Sequence, residues 1–278
     1  MHHVLSTNSY RNQKLTSALL GEIERAGIAR VEIWCSRLHF DYNSAEDVRE
    51  LADWFGDHKL ELHALHAPTS RDMSARRESA TPISISDPER VRRLDAVDEI
   101  KRALDVAEQI PFRYLVQHIG SSREAADPRR YDAAFSSLEH LVVFAKERGV
   151  TIALENTPGE LASPSNLRHF IHDTRLQGLR MCFDTGHAHM EDGIEASFEA
   201  MRDLVVTAHI HDNHGEKDEH LLPFEGTIDW SAALKLMATA PVTGGMPLVI
   251  ELMPAHTRSL EQIMAVFERM ENARAAKA

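Results

Sequence analysis

Apolar and polar residues divide the chain into short and long segments that alternate from one end to the other. Short apolar runs rich in β-branched residues are typical of buried strands, and longer segments with a polar face and capping residues are typical of helices. The predicted strands cover residues 4–8, 29–34, 60–66, 113–118, 150–155, 179–184, 203–211 and 247–252. The predicted helices cover residues 14–26, 44–58, 87–109, 127–148, a segment from 163, 194–202, 230–239 and a segment from 259.

Capping residues support several of these helix starts. Ser44 and Asp47 have the spacing of a capping box, and Asp229 has the position of an N-cap. An N-cap residue followed by proline, which is typical of a first helical turn, occurs at Asp87-Pro88, Asp127-Pro128 and Ser163-Pro164.

Strands that alternate with helices at this spacing predict parallel strands joined by crossover helices. Eight such units match an α/β fold, the single (β/α)8 TIM barrel of about 250 residues. No linker or low-complexity segment divides residues 1–278, so one domain is predicted. A doubly wound open sheet is the alternative, but it usually has a glycine-rich turn after its first strand. Residues 9–12 contain no glycine.

Composition and charge exclude some classes of protein. No apolar run approaches the roughly 20 residues of a membrane span, and residues 1–5 lack the features of a signal peptide. Cys35 and Cys182 lie in apolar, strand-like runs, which predicts buried thiols in a reducing, cytoplasmic compartment. The formal net charge of −12 disfavours a broad nucleic-acid-binding surface, although it allows a local basic groove.

Histidines and carboxylates end six of the predicted strands or follow them closely. Residues 208–226 alone contain four histidines. The whole set is His66, His118, Glu155, Asp184, His187, His209, Asp218, His220 and Glu251. In a barrel these positions converge on the C-terminal face, where barrel enzymes build their sites. Burial of so many ionisable groups is costly without cations, so the pattern predicts a divalent metal centre with Zn, Mn, Co or Mg.

Glu155 and Glu251 are the candidate catalytic residues. They end the fifth and eighth predicted strands, and we expect them on facing sides of the barrel mouth. One carboxylate can accept a proton from a carbon atom and the other can return one, while the metal polarises a neighbouring carbonyl. The pattern therefore predicts proton transfer through an enediolate of an α-hydroxy carbonyl compound.

Residues beside the strand ends have supporting roles in this prediction. Asn8 and Trp34, which end the first and second predicted strands, are candidates for the pocket wall. We expect His211 to point away from His209 and to support the site by hydrogen bonding, and His63 to pack behind the barrel. Surface or helix-packing positions are predicted for His39, His58, His140, His169 and His172. A phosphate clamp and a solvated lid are alternative roles for Arg71, Arg76 and Arg77.

Seven short motifs give the chain a resemblance to a known family. They are VEIW at 31–34, LHAP at 65–68, ALEN at 153–156, FDTGH at 183–187, HIHD at 209–212, PFEG at 223–226 and VIE at 249–251. Each motif alone is weak, but in this order they resemble the xylose isomerase-like (β/α)8 superfamily over nearly the whole chain. That superfamily contains sugar isomerases and epimerases, and also the endonuclease IV-type apurinic endonucleases.

The resemblance implies two different metal sites. In the isomerases and epimerases, one divalent metal is held by residues that match Glu155, Asp184, His209 and Glu251. The two glutamates then act as acid and base, and the residue that matches His187 binds substrate oxygens. In the endonucleases three zinc ions use nine ligands, and all nine positions at the strand ends match in order. The identity of the ligands therefore leaves both branches open.

The sugar branch is the preferred interpretation. The chain is acidic, and no loop combines several arginines with an aromatic wedge that could open a duplex. We therefore predict a metal-dependent sugar isomerase or epimerase that holds one metal and binds a small-molecule substrate. An endonuclease IV-like phosphodiesterase with up to three zinc ions and a non-catalytic carbohydrate-binding barrel are the alternatives. A homo-oligomer is implied by the resemblance alone.

Overall fold

Eight parallel strands form the centre of the molecule. The computed structural model describes residues 2–71, 81–120 and 124–275. The strands are β1 (His2–Ser6), β2 (Arg30–Trp34), β3 (Glu61–His66), β4 (Tyr114–Gln117), β5 (Thr151–Glu155), β6 (Arg180–Asp184), β7 (Val205–Ile210) and β8 (Pro247–Ile250). Each strand pairs with its neighbours in sequence, and β1 also pairs with β8 to close the barrel. The predicted (β/α)8 architecture is confirmed.

Helices follow the strands and cover the outside of the barrel with their apolar faces. They are α1 (Ser17–Arg25), α2 (Ala45–Asp57), α3 (Arg90–Asp105), α4 (Pro128–Glu147), α5 (Pro164–Thr174), α6 (Thr185–Met190), α7 (Ile194–Met201), α8 (Trp230–Met237) and α9 (Leu260–Ala275). The short helix α6 was not predicted from the sequence. Within the described ranges, no helix combines the length and the apolar content needed to cross a bilayer.

Side-chain caps fix most of the helix starts where the sequence predicts them. Ser44 Oγ accepts a hydrogen bond from the backbone N–H of Asp47, and Asp127 caps α4 in the same manner. The prediction that Asp87 caps a helix is wrong. The carboxylate of Asp87 accepts from the N–H of Glu89 in a turn, and α3 begins only at Arg90.

The barrel interior below the mouth is partly polar. Val116, Ala153 and Cys182 pack together there, and Glu32 is fully buried. His63 was predicted to pack behind the barrel, but its Nε2 lies 3.4 Å from Thr207 Oγ1 on β7. The strand register shifts between Val31 and Glu32 where β2 pairs with β3, which changes the alternation of inward and outward residues. As predicted, both cysteines are buried free thiols.

The connection after β1 forms one wall of the barrel mouth. Asn8 does not end a strand as predicted, because β1 stops at Ser6 and a 3-10 helix (Thr7–Tyr10) follows. His39 supports this turn from below, with Nε2 2.9 Å from Thr7 Oγ1 and Nδ1 2.7 Å from the carbonyl oxygen of Gln13. His39 is therefore an internal support and not a surface residue.

The loop after β3 was predicted to carry a phosphate clamp or a solvated lid. Arg71 forms an ion pair with Asp95 of α3, with 3.3 Å between Nη1 and Oδ2. This contact holds the start of the loop against a helix. Arg76 and Arg77 lie outside the described residues.

His39 is expected to make folding sensitive to acid. Burial lowers its pKa to about 4, because the imidazolium form loses its hydration. Between pH 6.5 and 4 the unfolded chain therefore binds a proton that the folded chain does not bind, and stability falls as the pH falls, by at most about 1.4 kcal/mol per pH unit. His39→Gln should make this slope shallower, as measured by urea unfolding across that range.

His172→Gln provides the matched control, because the side chain of His172 is exposed on α5. That variant should keep the slope of the wild-type protein. An unfolding free energy of His39→Gln that falls as steeply as that of the wild type would contradict this role for His39.

Candidate metal centre

A cavity of about 370 Å³ opens at the C-terminal ends of the strands. Seven of the nine predicted site residues line it, namely His66, His118, Glu155, His187, Asp218, His220 and Glu251. The predicted wall residues Asn8 and Trp34 line it as well. Asp184 and His209 are fully buried at its base. A larger groove of about 660 Å³ lies between α4 and α5 and contains none of these nine residues.

Glu155, Asp184, His209 and Glu251 form the first of three donor groups. One ligand atom from each residue lies within 4.8 Å of the others, and all four residues are buried. His209 Nδ1 is 3.4 Å from an oxygen of Glu155 and 3.4 Å from an oxygen of Glu251. Glu155 and Glu251 come from strands that are three apart around the barrel, and they meet in this one group. The spacing suits one cation held by three carboxylates and an imidazole.

Glu32 orients His209 from inside the barrel. His209 Nε2 lies 3.1 Å from Glu32 Oε1 and 3.2 Å from Oε2, and neither residue is exposed. A proton on Nε2 can be shared with the Glu32 carboxylate, which leaves the Nδ1 lone pair directed at the donor group. A carboxylate behind a histidine ligand fixes the ring and increases its basicity.

Glu155 connects the first donor group to a second one. The second group consists of His66, Glu155 and His209, and all three residues are buried. Glu155 Oε2 lies 3.4 Å from His66 Nε2 and 3.1 Å from His118 Nε2. A carboxylate shared in this manner can bridge two cations, so the two groups are not independent.

His187, His211, Asp218 and His220 form the third donor group. Contrary to the prediction, His211 does not point away from the site. It directly follows β7, two residues after His209, a spacing that puts both side chains on one face of a strand, and its Nε2 is 3.0 Å from Asp184 Oδ1. The ring of His211 stacks on that of His220 with 3.8 Å between centroids. His211 is thus both a hydrogen-bonding support for Asp184 and a candidate ligand.

Helix α6 places His187 and makes room for His211. Asp184 ends β6 and caps α6, because its Oδ1 accepts a hydrogen bond of 2.8 Å from the N–H of His187. Gly186 follows in the first turn, and a Cβ atom there would overlap the imidazole ring of His211. In the DTG sequence at 184–186, the aspartate is a candidate ligand that also caps α6, and the glycine lets the ring of His211 lie close to the backbone.

A buried aspartate holds the loop that carries Asp218 and His220. Asp212 is fully buried and accepts hydrogen bonds from the N–H groups of Phe224 and Ile228 and from Nε1 of Trp230. A backbone pair between Asp212 and Leu221 closes the loop. These bonds fix the ends of the segment between β7 and α8.

The charges in the cavity are strongly coupled. Burial alone raises the pKa of Glu155, but the charges of His209 and His118 outweigh burial and hold this pKa well below its usual range. Burial lowers the pKa of His187, whereas Asp184 and the hydrogen bond to Asp218 raise it to about 10. The lowered pKa favours the ionised form of Glu155, the form in which a carboxylate binds a metal. A cation bound through His187 would displace a proton, so its affinity should rise with pH.

Unpartnered buried atoms indicate that these residues fit a metal. Among the described residues, His209 Nδ1, His211 Nδ1 and Asp218 Oδ1 are buried without a hydrogen-bond partner. Leaving such atoms unsatisfied is costly, and a cation in their midst would remove the cost. Imidazole and carboxylate donors without thiolate suit Zn, Mn, Co or Mg.

Three residues that matter here were missed from the sequence. Glu32 lies in an ordinary strand pattern that does not mark it as a site residue, because its partner His209 is 177 residues away. Asp212 belongs to the HIHD motif but was not assigned a role. Arg11, which lines the cavity beside Asn8, was noted only as part of a turn without glycine.

Loss of the Glu32 carboxylate is expected to weaken metal binding. In Glu32→Gln the amide cannot stabilise a proton on His209 as the carboxylate does, and supporting contacts of this kind are worth about 10–100-fold in metal affinity. Competition with a chromophoric chelator measures the effect. Glu99→Gln is the matched control, since Glu99 is a buried carboxylate of α3 that pairs with Arg37 and Arg102. Equal metal affinity of Glu32→Gln and wild type would refute this role.

Comparisons with known proteins agree with the fold. The model of the xylose isomerase-like TIM barrel family matches residues 20–269. The uncharacterized protein MJ1311 of Methanocaldococcus jannaschii is 28% identical over 234 residues, which are 80% of this chain and 75% of that protein. A probable endonuclease 4 of Natronomonas pharaonis is 26% identical over 188 residues, which are 61% of this chain and 66% of that protein.

A solved structure shares the fold over almost its full length. The crystal structure of a D-tagatose 3-epimerase-like protein superposes with a TM-score of 0.79 at 22% identity, and the match covers 98% of this chain and 97% of that one. This likeness concerns the fold. Because the family model covers most of the sequence, the chain belongs to the xylose isomerase-like TIM barrel family.

Proposed function

We propose that this protein is a divalent-metal-dependent isomerase or epimerase of a sugar or a related α-hydroxy carbonyl compound. The observation that carries the proposal is the first donor group, in which Glu155, Asp184, His209 and Glu251 converge. Glu155 and Glu251 also line a cavity of about 370 Å³, which is in the range of pockets for small ligands. When bound there, Mn, Co, Mg or Zn would polarise the substrate carbonyl and acidify the adjacent C–H bond.

Glu155 and Glu251 are the residues that would move the proton. Glu251 Oε2 faces His209, whereas its Oε1 has no hydrogen-bond partner among the described residues and keeps lone pairs for a proton. Glu155 Oε2 faces His66 and His118, and its Oε1 has a looser contact, 3.5 Å from His187 Nδ1. Each glutamate thus has one oxygen in the donor group and one that is less engaged.

The proposed reaction is a two-step proton transfer. One glutamate removes the proton from the carbon beside the carbonyl, which gives an enediolate. The other glutamate returns a proton to the opposite face of the same carbon and inverts it. Return of the proton to the adjacent carbon isomerises the substrate instead. His187 lies beside both Asp184 and Asp218 and would hold a substrate hydroxyl during transfer.

Charge and shape favour a small substrate over nucleic acid. The net charge of −12 opposes a polyanion, and the cavity has room for a single small molecule. The fold shared with a D-tagatose 3-epimerase-like protein supports the same class of substrate. The presence of both glutamates speaks against a non-catalytic carbohydrate-binding barrel.

Hydrolysis of phosphodiesters by several zinc ions is the second candidate function. The second and third donor groups favour it, because one cation does not need His66, His211, Asp218 and His220 as well. Glu155 belongs to both the first and the second donor group, which would suit a site with two cations. The likeness to a probable endonuclease 4 supports this candidate over part of the chain.

Metal content and proton exchange separate the two candidates. Plasma emission spectroscopy on protein purified without chelator should find about one divalent ion per chain, and a ketose incubated in D2O should acquire deuterium beside its carbonyl, as seen by NMR. Close to three zinc ions per chain, together with cleavage of an abasic-site duplex, would favour the second candidate. Protein that contains no metal and takes none up would overturn both.

The remaining expectations concern assembly and location. A homo-oligomer and a cytoplasmic location stay predictions, and light scattering on the purified chain tests the first.

A further inference from the structure

We infer that the groove between α4 and α5 binds a small organic cation, an ammonium ion carried on an apolar body. The groove has a volume of about 660 Å³, and none of the nine donor residues of the barrel mouth lines it. Pockets for small molecules have volumes of about 300–1,000 Å³ and combine aromatic walls with a few polar groups. Because the groove lies on the outside of the barrel, the inference is independent of the proposed function.

Three aromatic rings form the apolar part of the groove. Tyr131 and Phe135 are four residues apart on α4, so they share one face of the helix, and both are only half-buried. Phe170 of α5 completes the set, with 6.2 Å between its ring centroid and that of Tyr131. The hydroxyl of Tyr131 donates a hydrogen bond of 3.2 Å to the carbonyl oxygen of Leu161, which holds this ring in place. The face of an aromatic ring attracts a cation within about 6 Å.

Carboxylates provide the charge of the groove. Asp132 of α4, Asp173 of α5 and Glu160, which lies just before α5, line it. The carboxylates of Asp132 and Glu160 have no hydrogen bond or ion pair with another described residue. No lysine or arginine is among the described residues that line the groove. Burial and the charge of Glu160 raise the pKa of Tyr131, which indicates that this charge lies close to the aromatic rings.

A cation fits this groove better than an anion or a neutral ligand. An anion would be repelled by the carboxylates, and a neutral apolar ligand would cover them without balancing their charge. Asp173 is already paired with His172, with 2.9 Å between Oδ1 and Nδ1, so Asp132 and Glu160 are the two carboxylates that a ligand would meet. Aromatic rings recognise quaternary ammonium ions in other proteins, and a carboxylate adds a charge of opposite sign.

Calorimetric titration with choline and with 3,3-dimethylbutan-1-ol tests the inference. The two probes have nearly the same shape, and only choline carries a charge. The wild type should bind choline at least about tenfold more tightly than the alcohol, which corresponds to about 1.4 kcal/mol. The double variant Asp132→Asn/Glu160→Gln should lose this preference. Tyr131→Leu should weaken choline binding about two- to fivefold, whereas Tyr131→Phe should keep it, because the ring remains.

Glu139→Gln/Glu147→Gln is the matched control. Both glutamates are exposed on α4 outside the groove, so this variant loses the same net charge and should bind choline as the wild type does. Equal affinity for the two probes, absence of choline binding, or a preference that survives in Asp132→Asn/Glu160→Gln overturns the inference. Light scattering that finds an oligomer which Phe135→Ser breaks apart would show that a second copy covers the groove, and this result would overturn it as well.

Discussion

Replacement of Glu251 by Gln is expected to slow deuterium exchange into the substrate by two to four orders of magnitude. General acid–base catalysis contributes about 10²–10⁴-fold, and an amide of the same shape can neither accept nor return the proton. Glu251 Oε2 faces Nδ1 of His209 and Nδ1 of His220, at 3.4 and 3.7 Å, so the side chain stays in place. NMR in D2O with metal-saturated protein measures the exchange rate, and Glu155→Gln should behave alike.

Loss of metal would imitate this effect, so metal content has to be measured in the same samples. Glu225→Gln is the control, because Glu225 is an exposed carboxylate that pairs with Arg258 on a loop of the same barrel face. It should exchange at the wild-type rate. Metal-saturated Glu251→Gln and Glu155→Gln that both exchange normally would rule out these residues as acid and base.

Removal of Asp212 is expected to lower the free energy of unfolding by about 4 kcal/mol. Asp212→Ala leaves the N–H groups of Phe224 and Ile228 and Nε1 of Trp230 without their acceptor inside the protein. Each such buried donor costs about 1–3 kcal/mol when its partner is removed. Urea unfolding of the metal-free protein measures the loss without a contribution from bound ions.

Asp229→Ala is the comparison for this variant. Asp229 is exposed and caps α8 through one hydrogen bond to the N–H of Ala232, so its loss should cost about 1 kcal/mol. An Asp212→Ala protein no less stable than Asp229→Ala would show that the loop does not depend on the buried carboxylate.

The sequence predicts the barrel well because strands and helix starts depend on residues that are close together in the chain. Each strand is a short apolar run, and Ser44 and Asp127 cap helices where the pattern places them. The nine donors are also recognisable, since they end strands, or closely follow strands, whose direction the fold determines. Three of those strand ends, at His66, Glu155 and Asp184, coincide with the ends of β3, β5 and β6.

The remaining features depend on geometry that no local pattern contains. Glu32 becomes a support for His209 because the closed barrel brings together residues that are 177 positions apart in the chain. His211 was misplaced because the prediction put residues two positions apart on opposite faces, whereas strand alternation puts His209 and His211 on the same face. Asn8 was assigned to a strand because a 3-10 helix of four residues has no periodic signal.

Closure of the barrel has a consequence for the order of events during synthesis. Ribosomes make β1 first and β8 last, yet these two strands pair, from His2 with Pro247 to Leu5 with Ile250. Until β8 emerges, the nascent sheet has two unpaired edges and lacks Glu251, which directly follows that strand. An ion that arrives early meets at most three of the four donors of the first group. Under the proposed function, tight metal uptake would therefore be a late event that marks a finished barrel and would not help to nucleate it.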